Sequence, residues 1–164
     1  MTPDELNAIG QILDSVGTLT LATCDSSVPW ATSLFFARDE NLNLYFLSGQ
    51  RTRHIRNLLT SNSVAVTVNA DYRTWNSIRG LQIGGTAAVV AQATRSEIVA
   101  LYLDKFTELR KVVSAPDDVL EQQIAKALAA SDFFRIRPKT IRMIDNTKGF
   151  GHTSEFLLDE AFVP

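Results

Sequence analysis

Between residues 18 and 68 the chain strings together runs of β-forming residues with too little between them for helical crossovers. Residues 18–24, 30–37 and 42–47 are rich in Val, Leu, Phe, Thr and Tyr, and they are separated by the turn-prone Asp25-Ser26-Ser27 and Asp39-Glu40-Asn41. A short helix fits 52–59, and Val64-Ala65-Val66-Thr67-Val68 is a further strand. Residues 78–91 supply a long strand in which Gly84-Gly85 marks a bulge or bend. Another strand, 133–144, interrupted at Pro138, returns late. These runs do not alternate with helices as βαβ units. The economical arrangement is an α+β fold, an antiparallel barrel with helices packed outside it. Ser33-Leu34-Phe35-Phe36-Ala37 is apolar on both faces, so a second layer, helical or from a partner subunit, has to cover it.

The helices announce themselves locally. Thr2 and Glu5 form a capping box around Pro3, and Leu6, Ile9, Leu13 and Val16 recur on one face until Gly17. Thr94 and Glu97 repeat the box ahead of Ile98, Leu101, Tyr102, Phe106 and Leu109. Residues 112–118 read as a helix–helix connection and 118–130 as a third helix, with Asp117-Asp118 at its start.

A chain of 164 residues suits one domain, here 1–164, and a net charge of −2 provides no general field for nucleic acid or anionic lipid. Any anionic ligand must be held by a local cluster. One cysteine, Cys24, excludes an intramolecular disulfide and a cysteine zinc site, and its apolar neighbourhood suggests a small core residue. There is no leader-like start and no apolar run of about 20 residues, so a reduced, cytoplasmic setting without membrane attachment is expected. His54 and His152 lack ligand spacing, Gly80 to Gly85 does not match a dinucleotide fingerprint, and neither Ser48 nor Cys24 sits in a nucleophile motif. Trp30, after Pro29, is a core or interface residue.

Residues 47–58 carry the chemistry. A strand ends at Ser48, a polar turn follows, and a helix opens near Thr52. Helix starts bind anions through free amides and the dipole, and the Ser48 and Thr52 hydroxyls donate to phosphate oxygens. Arg51, Arg53, His54 and Arg56 concentrate positive charge in an acidic chain. The alternative is a solvated basic helix face on which Asn57 is a surface residue.

These residues resemble a family. Tyr45-Phe46-Leu47-Ser48, Thr52-Arg53-His54, Asn57-Leu58, Asn62-Ser63-Val64-Ala65-Val66 and Gly80-Leu81-Gln82-Ile83-Gly84-Gly85 follow, in order and spacing, the pattern of the pyridoxamine 5'-phosphate oxidase-related FMN-binding split-barrel proteins. Tyr102-Leu103-Asp104-Lys105-Phe106 and residues 136–151, with Asp145-Asn146-Thr147 and Gly149-Phe150-Gly151, resemble later segments of the same group. The resemblance implies an antiparallel split β-barrel of Greek-key type with peripheral helices. It also implies FMN at the interface of a homodimer. Thr52, Arg53 and His54, with Ser48, match the phosphate clasp. Thr32 and Ser33 match the strand beside the isoalloxazine ring, and Gln82 the glutamine on its polar edge. Trp75 is placed to line the flavin pocket. Asn146 and Phe150 either reach the partner's flavin or form a simple C-terminal turn.

The departures bear on substrate. No arginine stands two residues before His152, a histidine replaces the usual clasp lysine, and Ala31-Thr32-Ser33 lacks the early-strand arginine. Oxidation of pyridoxamine 5'-phosphate is therefore not expected. The expected activity is flavin-dependent hydride or electron transfer with an unnamed small-molecule substrate, and no side chain stands out as a catalytic acid or base. Two alternatives remain open: an FMN reservoir or redox sensor without turnover, and a haem-binding split-barrel protein with a histidine axial ligand.

Overall fold

The structure is a computed structural model that describes residues 1–158; the last six residues of the expected 1–164 domain lie outside the described part. Helix α1 (Pro3–Ser15) opens with the expected capping box: the Glu5 amide donates to Thr2 Oγ1 at 3.3 Å, and the Thr2 amide to Glu5 Oε2 at 2.7 Å. It stops two residues before Gly17, with Val16 extended as its C-cap. Strands β1 (Thr18–Asp25) and β2 (Val28–Arg38) form a hairpin around Ser26-Ser27, both at positive φ, as a two-residue turn between right-twisted strands demands. There follow β3 (Leu44–Ser48), α2 (Arg53–Thr60), β4 (Ser63–Asn69) and β5 (Arg79–Val89). Helices α3 (Arg95–Lys105), α4 (Glu108–Ser114) and α5 (Val119–Ala129) precede the long β6 (Asp132–Asp145) and β7 (Thr153–Leu157).

All pairings are antiparallel. The order is β3-β2-β1-β4-β5-β6-β7, and β3 also pairs with the first part of β6, closing six strands into a barrel with β7 appended beside the rest of β6. This is the antiparallel split barrel with peripheral helices that the sequence implied. Alternate residues fill it: Leu19 and Leu21, Phe36, Leu44 and Phe46, Val64, Val66 and Val68, Leu81 and Ile83, Ile141 and Met143, with Ile9, Ile12 and Leu13 from α1. A second cluster lies outside the barrel, where Ile98 and Tyr102 of α3 and the adjoining Phe106 cover Ala37, Tyr45 and Phe133. The apolar second face of β2 and β3 thus gains a helical cover at Ala37 and Tyr45, whereas Phe35, edge-on to Phe106, stays largely exposed.

Several local readings are corrected. Thr94 caps nothing, because residues 92–94 form a 3₁₀ turn running straight into α3 and the Thr94 hydroxyl donates to Ala91 O. The helix expected to reach Leu109 ends at Lys105; Leu109 belongs to α4, which shortens the connection to residues 115–118. Pro138 does not interrupt β6. It pairs with Gly85 at the bulge, where a glycine accepts the close approach of the Arg137 carbonyl. Cys24 is exposed, because strand alternation assigns it to the outer face with Thr18, Thr20 and Ala22. Trp30 is 40% exposed, so it is not a core residue of this chain.

Candidate functional site

Ser48, the last residue of β3, and the first turn of α2 come together at one end of the barrel. Ser48 Oγ lies 2.7 Å from His54 Nε2 and 3.2 Å from Thr52 Oγ1, and Thr52 Oγ1 lies 3.1 Å from His54 Nε2. Thr52 donates its hydroxyl proton to Gly49 O at 3.0 Å and so meets His54 as an acceptor. The consistent tautomer therefore carries the proton on Nε2. Burial holds the His54 pKa below its ordinary value, so the ring is neutral at physiological pH. His54 accordingly positions the two hydroxyls and brings no charge, in contrast to its expected part in the cationic cluster.

Thr52 is the extended N-cap of α2 but makes no side-chain cap, leaving the first-turn amides without a hydroxyl or carboxylate acceptor among the described residues. Arg53 is exposed, has no carboxylate partner among the described residues, and its guanidinium carbon sits 4.4 Å from the centre of the Trp30 ring. Asn57 is not a surface residue: it is buried and donates through Nδ2 to Thr23 Oγ1 at 3.0 Å, fixing α2 against β1. The helix therefore presents its basic residues on one side only.

Thr32 and Ser33 point to opposite faces. Thr32 pairs with Leu21 and is half-buried, while Ser33 pairs with Thr20 on the outer surface. From there the strand register lays a polar row across the sheet, Ser33–Thr20–Thr67–Gln82–Arg142–Glu155. Beside it runs a row of small residues, Ala31–Ala22–Ala65–Gly84. Gln82 stands three strands from Ser33, about 14 Å at ordinary strand spacing, and no hydrogen bond joins it to the α2 cluster among the described residues. Gln82 lines an open cleft of about 660 Å³ with Thr67, Asn69, Tyr72, Arg79 and Ile144. In that cleft Arg79 Nε is buried without a hydrogen-bond acceptor among the described residues, 3.6 Å from Asp145 Oδ2.

Trp75 and Phe150, 62% and 83% exposed, meet edge to face with ring centres 5.8 Å apart. Asn146 holds this corner together. Its Nδ2 donates to Trp75 O at 2.6 Å, its Oδ1 accepts from the Gly151 amide, and its own amide donates to Ile78 O. Asn146 is buried and makes the C-terminal turn. Sequence reasoning passed over Trp30 as the platform for Arg53, and over Arg79 and Arg142 beside Gln82. No motif marks them, because strand register alone brings them there.

A closed antiparallel barrel with its outer helices and the cluster at the start of α2 defines the class, the pyridoxamine 5'-phosphate oxidase-like split barrels. The chain belongs to the pyridoxamine 5'-phosphate oxidase family, whose model matches residues 6–145. It is 29% identical over 157 residues to the UPF0306 protein YhbP of Salmonella paratyphi C, covering 95% of each chain. Among solved structures it is similar to a heme binding protein from Mycobacterium smegmatis, with a TM-score of 0.70, 16% identity and coverage of 96% of this chain and 59% of that one. It is also similar to HutZ, the heme storage protein of Vibrio cholerae, with a TM-score of 0.62, 18% identity and 92% of each chain covered. At these identities the two structures speak for the fold. Among the described residues no helix is long and apolar enough to cross a membrane.

Proposed function

We propose that the protein is a homodimeric FMN-binding protein of oxidoreductase type. The observation that carries this reading is the start of α2, where first-turn amides, the Ser48 hydroxyl and an Arg53 with no carboxylate partner among the described residues occur together. That donor set fits a phosphate monoester: the amides and the Ser48 hydroxyl donate, and Arg53 supplies charge. Thr32, Ser33, Gln82 and Trp75 are then the residues for the flavin ring, with Gln82 hydrogen-bonding its polar edge. Bound FMN supplies hydride or electron transfer; the chain binds it, orients it and shields it from water. The row of small residues beside Gln82 suits close packing against a second copy, and such packing turns the open outer face into a covered pocket.

Haem is the second reading, favoured by the heme-binding structures with this fold. Of the two histidines, His54 is buried and engaged by two hydroxyls, which leaves exposed His152 as the candidate axial ligand. Release of the cofactor from purified protein, with its absorption spectrum, decides between them. Flavin bands and recovered FMN support the proposal. A Soret band lost in His152→Ala overturns it in favour of haem.

A further inference from the structure

A separate cleft is bounded by α3, α4, α5 and the strand residues Leu47 and Phe133. It encloses about 190 Å³, more than the roughly 150 Å³ of an apolar cavity that takes up benzene. Leu47, Val99, Leu109, Leu128 and Phe133 make it predominantly apolar. Two polar groups enter the lining, Arg95 and Tyr102, seven residues apart and therefore on the same face of α3 as Val99.

Both polar groups are incompletely used. Arg95 Nη2 donates to Ser131 O at 3.0 Å and the guanidinium lies over Phe133, 5.3 Å from the ring centre; no carboxylate pairs with it among the described residues. Tyr102 is only 5% exposed, and its hydroxyl has no hydrogen-bond partner among the described residues. Burial raises its pKa to about 12, so at neutral pH it remains a proton donor. A half-buried cation without a carboxylate partner and a phenol hydroxyl that retains accessible surface place two donor groups in the lining of an otherwise apolar cleft. One ligand type complements both: an anionic acceptor carrying an apolar body.

We propose that this cleft binds a small monocarboxylate whose apolar body is about the size of one aromatic ring, its carboxylate facing Arg95 and Tyr102. The site is independent of the flavin reading, since it shares no residue with the α2 cluster or with the Gln82 cleft.

Phenylacetate is a suitable probe and 2-phenylacetamide its neutral counterpart, titrated calorimetrically into the purified protein. Saturable binding of phenylacetate is expected, with the amide at least about tenfold weaker, as for loss of a hydrogen bond to a charged group. Arg95→Gln should bring the two ligands to similar affinity. Ala125→Met, which fills the cleft from α5, should abolish binding while thermal melting shows the fold intact. Absence of saturable phenylacetate binding overturns the proposal. So does equal affinity of the wild-type protein for acid and amide, or binding by a folded Ala125→Met protein that matches the wild type.

Discussion

The Arg53 guanidinium lies over Trp30 with its carbon 4.4 Å from the ring centre, so the β1–β2 hairpin holds the cation that opens α2. A stacked guanidinium keeps its edge donors free for an anion while losing less side-chain freedom on binding. Arg53→Ala should weaken FMN binding by about ten- to hundredfold and leave riboflavin, which lacks the phosphate, nearly unaffected. Gln82→Ala should weaken both. Titrating each flavin into apo-protein measures this, and equal losses of FMN and riboflavin in Arg53→Ala would count against the phosphate assignment.

The outer row of small residues predicts the assembly. Ala65 lies between Ala22 and Gly84, where a long charged side chain prevents two sheets from approaching. Light scattering should show twice the 18.1 kDa chain mass, with more than about 2,000 Å² buried in total. Ala65→Arg should yield a monomer with impaired flavin binding. A stable wild-type monomer that still binds FMN would sink the dimeric site.

Substrate choice follows from what is missing near His152. Pyridoxamine 5'-phosphate should be turned over slowly or not at all by flavin-loaded protein under oxygen. Rapid formation of the aldehyde, followed spectroscopically, would contradict this.

Lys105 gives a pH signature. Its Nζ donates to Leu13 O at 2.9 Å and sits 3.8 Å from the Phe36 ring centre, and burial pulls its pKa down to about 8 from 10.5 against the opposing pull of Asp14. Between those values the unfolded chain holds a proton that the folded chain has released, so this residue makes stability rise with pH across that window. Below about pH 8 its full cost is present. The Tyr45 and Tyr102 phenols, both raised, oppose this from about pH 10 upward, where the unfolded chain releases protons that the folded chain keeps, and they do so equally in the wild type and in Lys105→Met. Urea midpoints between about pH 7 and 10 should rise less in Lys105→Met than in the wild type; parallel profiles would show that the lysine is not the source.

Gly85 tests the bulge. A Cβ there overlaps the backbone carbonyl of Arg137, which cannot move without breaking the β5–β6 ladder. At Gly84 it meets only the Thr140 hydroxyl, which a side-chain rotation removes. Gly85→Ala should therefore cost about 3 kcal/mol and Gly84→Ala much less, read from denaturant midpoints.

The features legible in the sequence are those whose physics is local. The Thr2–Glu5 box, the Ser26-Ser27 turn, the helix opening at Thr52 and the Gly84-Gly85 bulge each depend on neighbouring residues, whose hydrogen bonds or backbone angles dictate the conformation. The apolar runs of β2 and β3 likewise demanded a second layer. What the sequence left open depends on register between distant strands and on the choice between the two faces of each strand. Cys24 falls outside and Thr23 inside because alternation leaves β1 one buried face, and Asn57 then finds its acceptor 34 positions away. Pro138 passes through β6 uninterrupted because Gly85, more than fifty residues earlier, stands opposite it. Gln82 joins Thr67 and Arg142 only once the barrel closes. Such pairings gain their energy from contacts that do not exist in any short segment, so composition and spacing carry no trace of them.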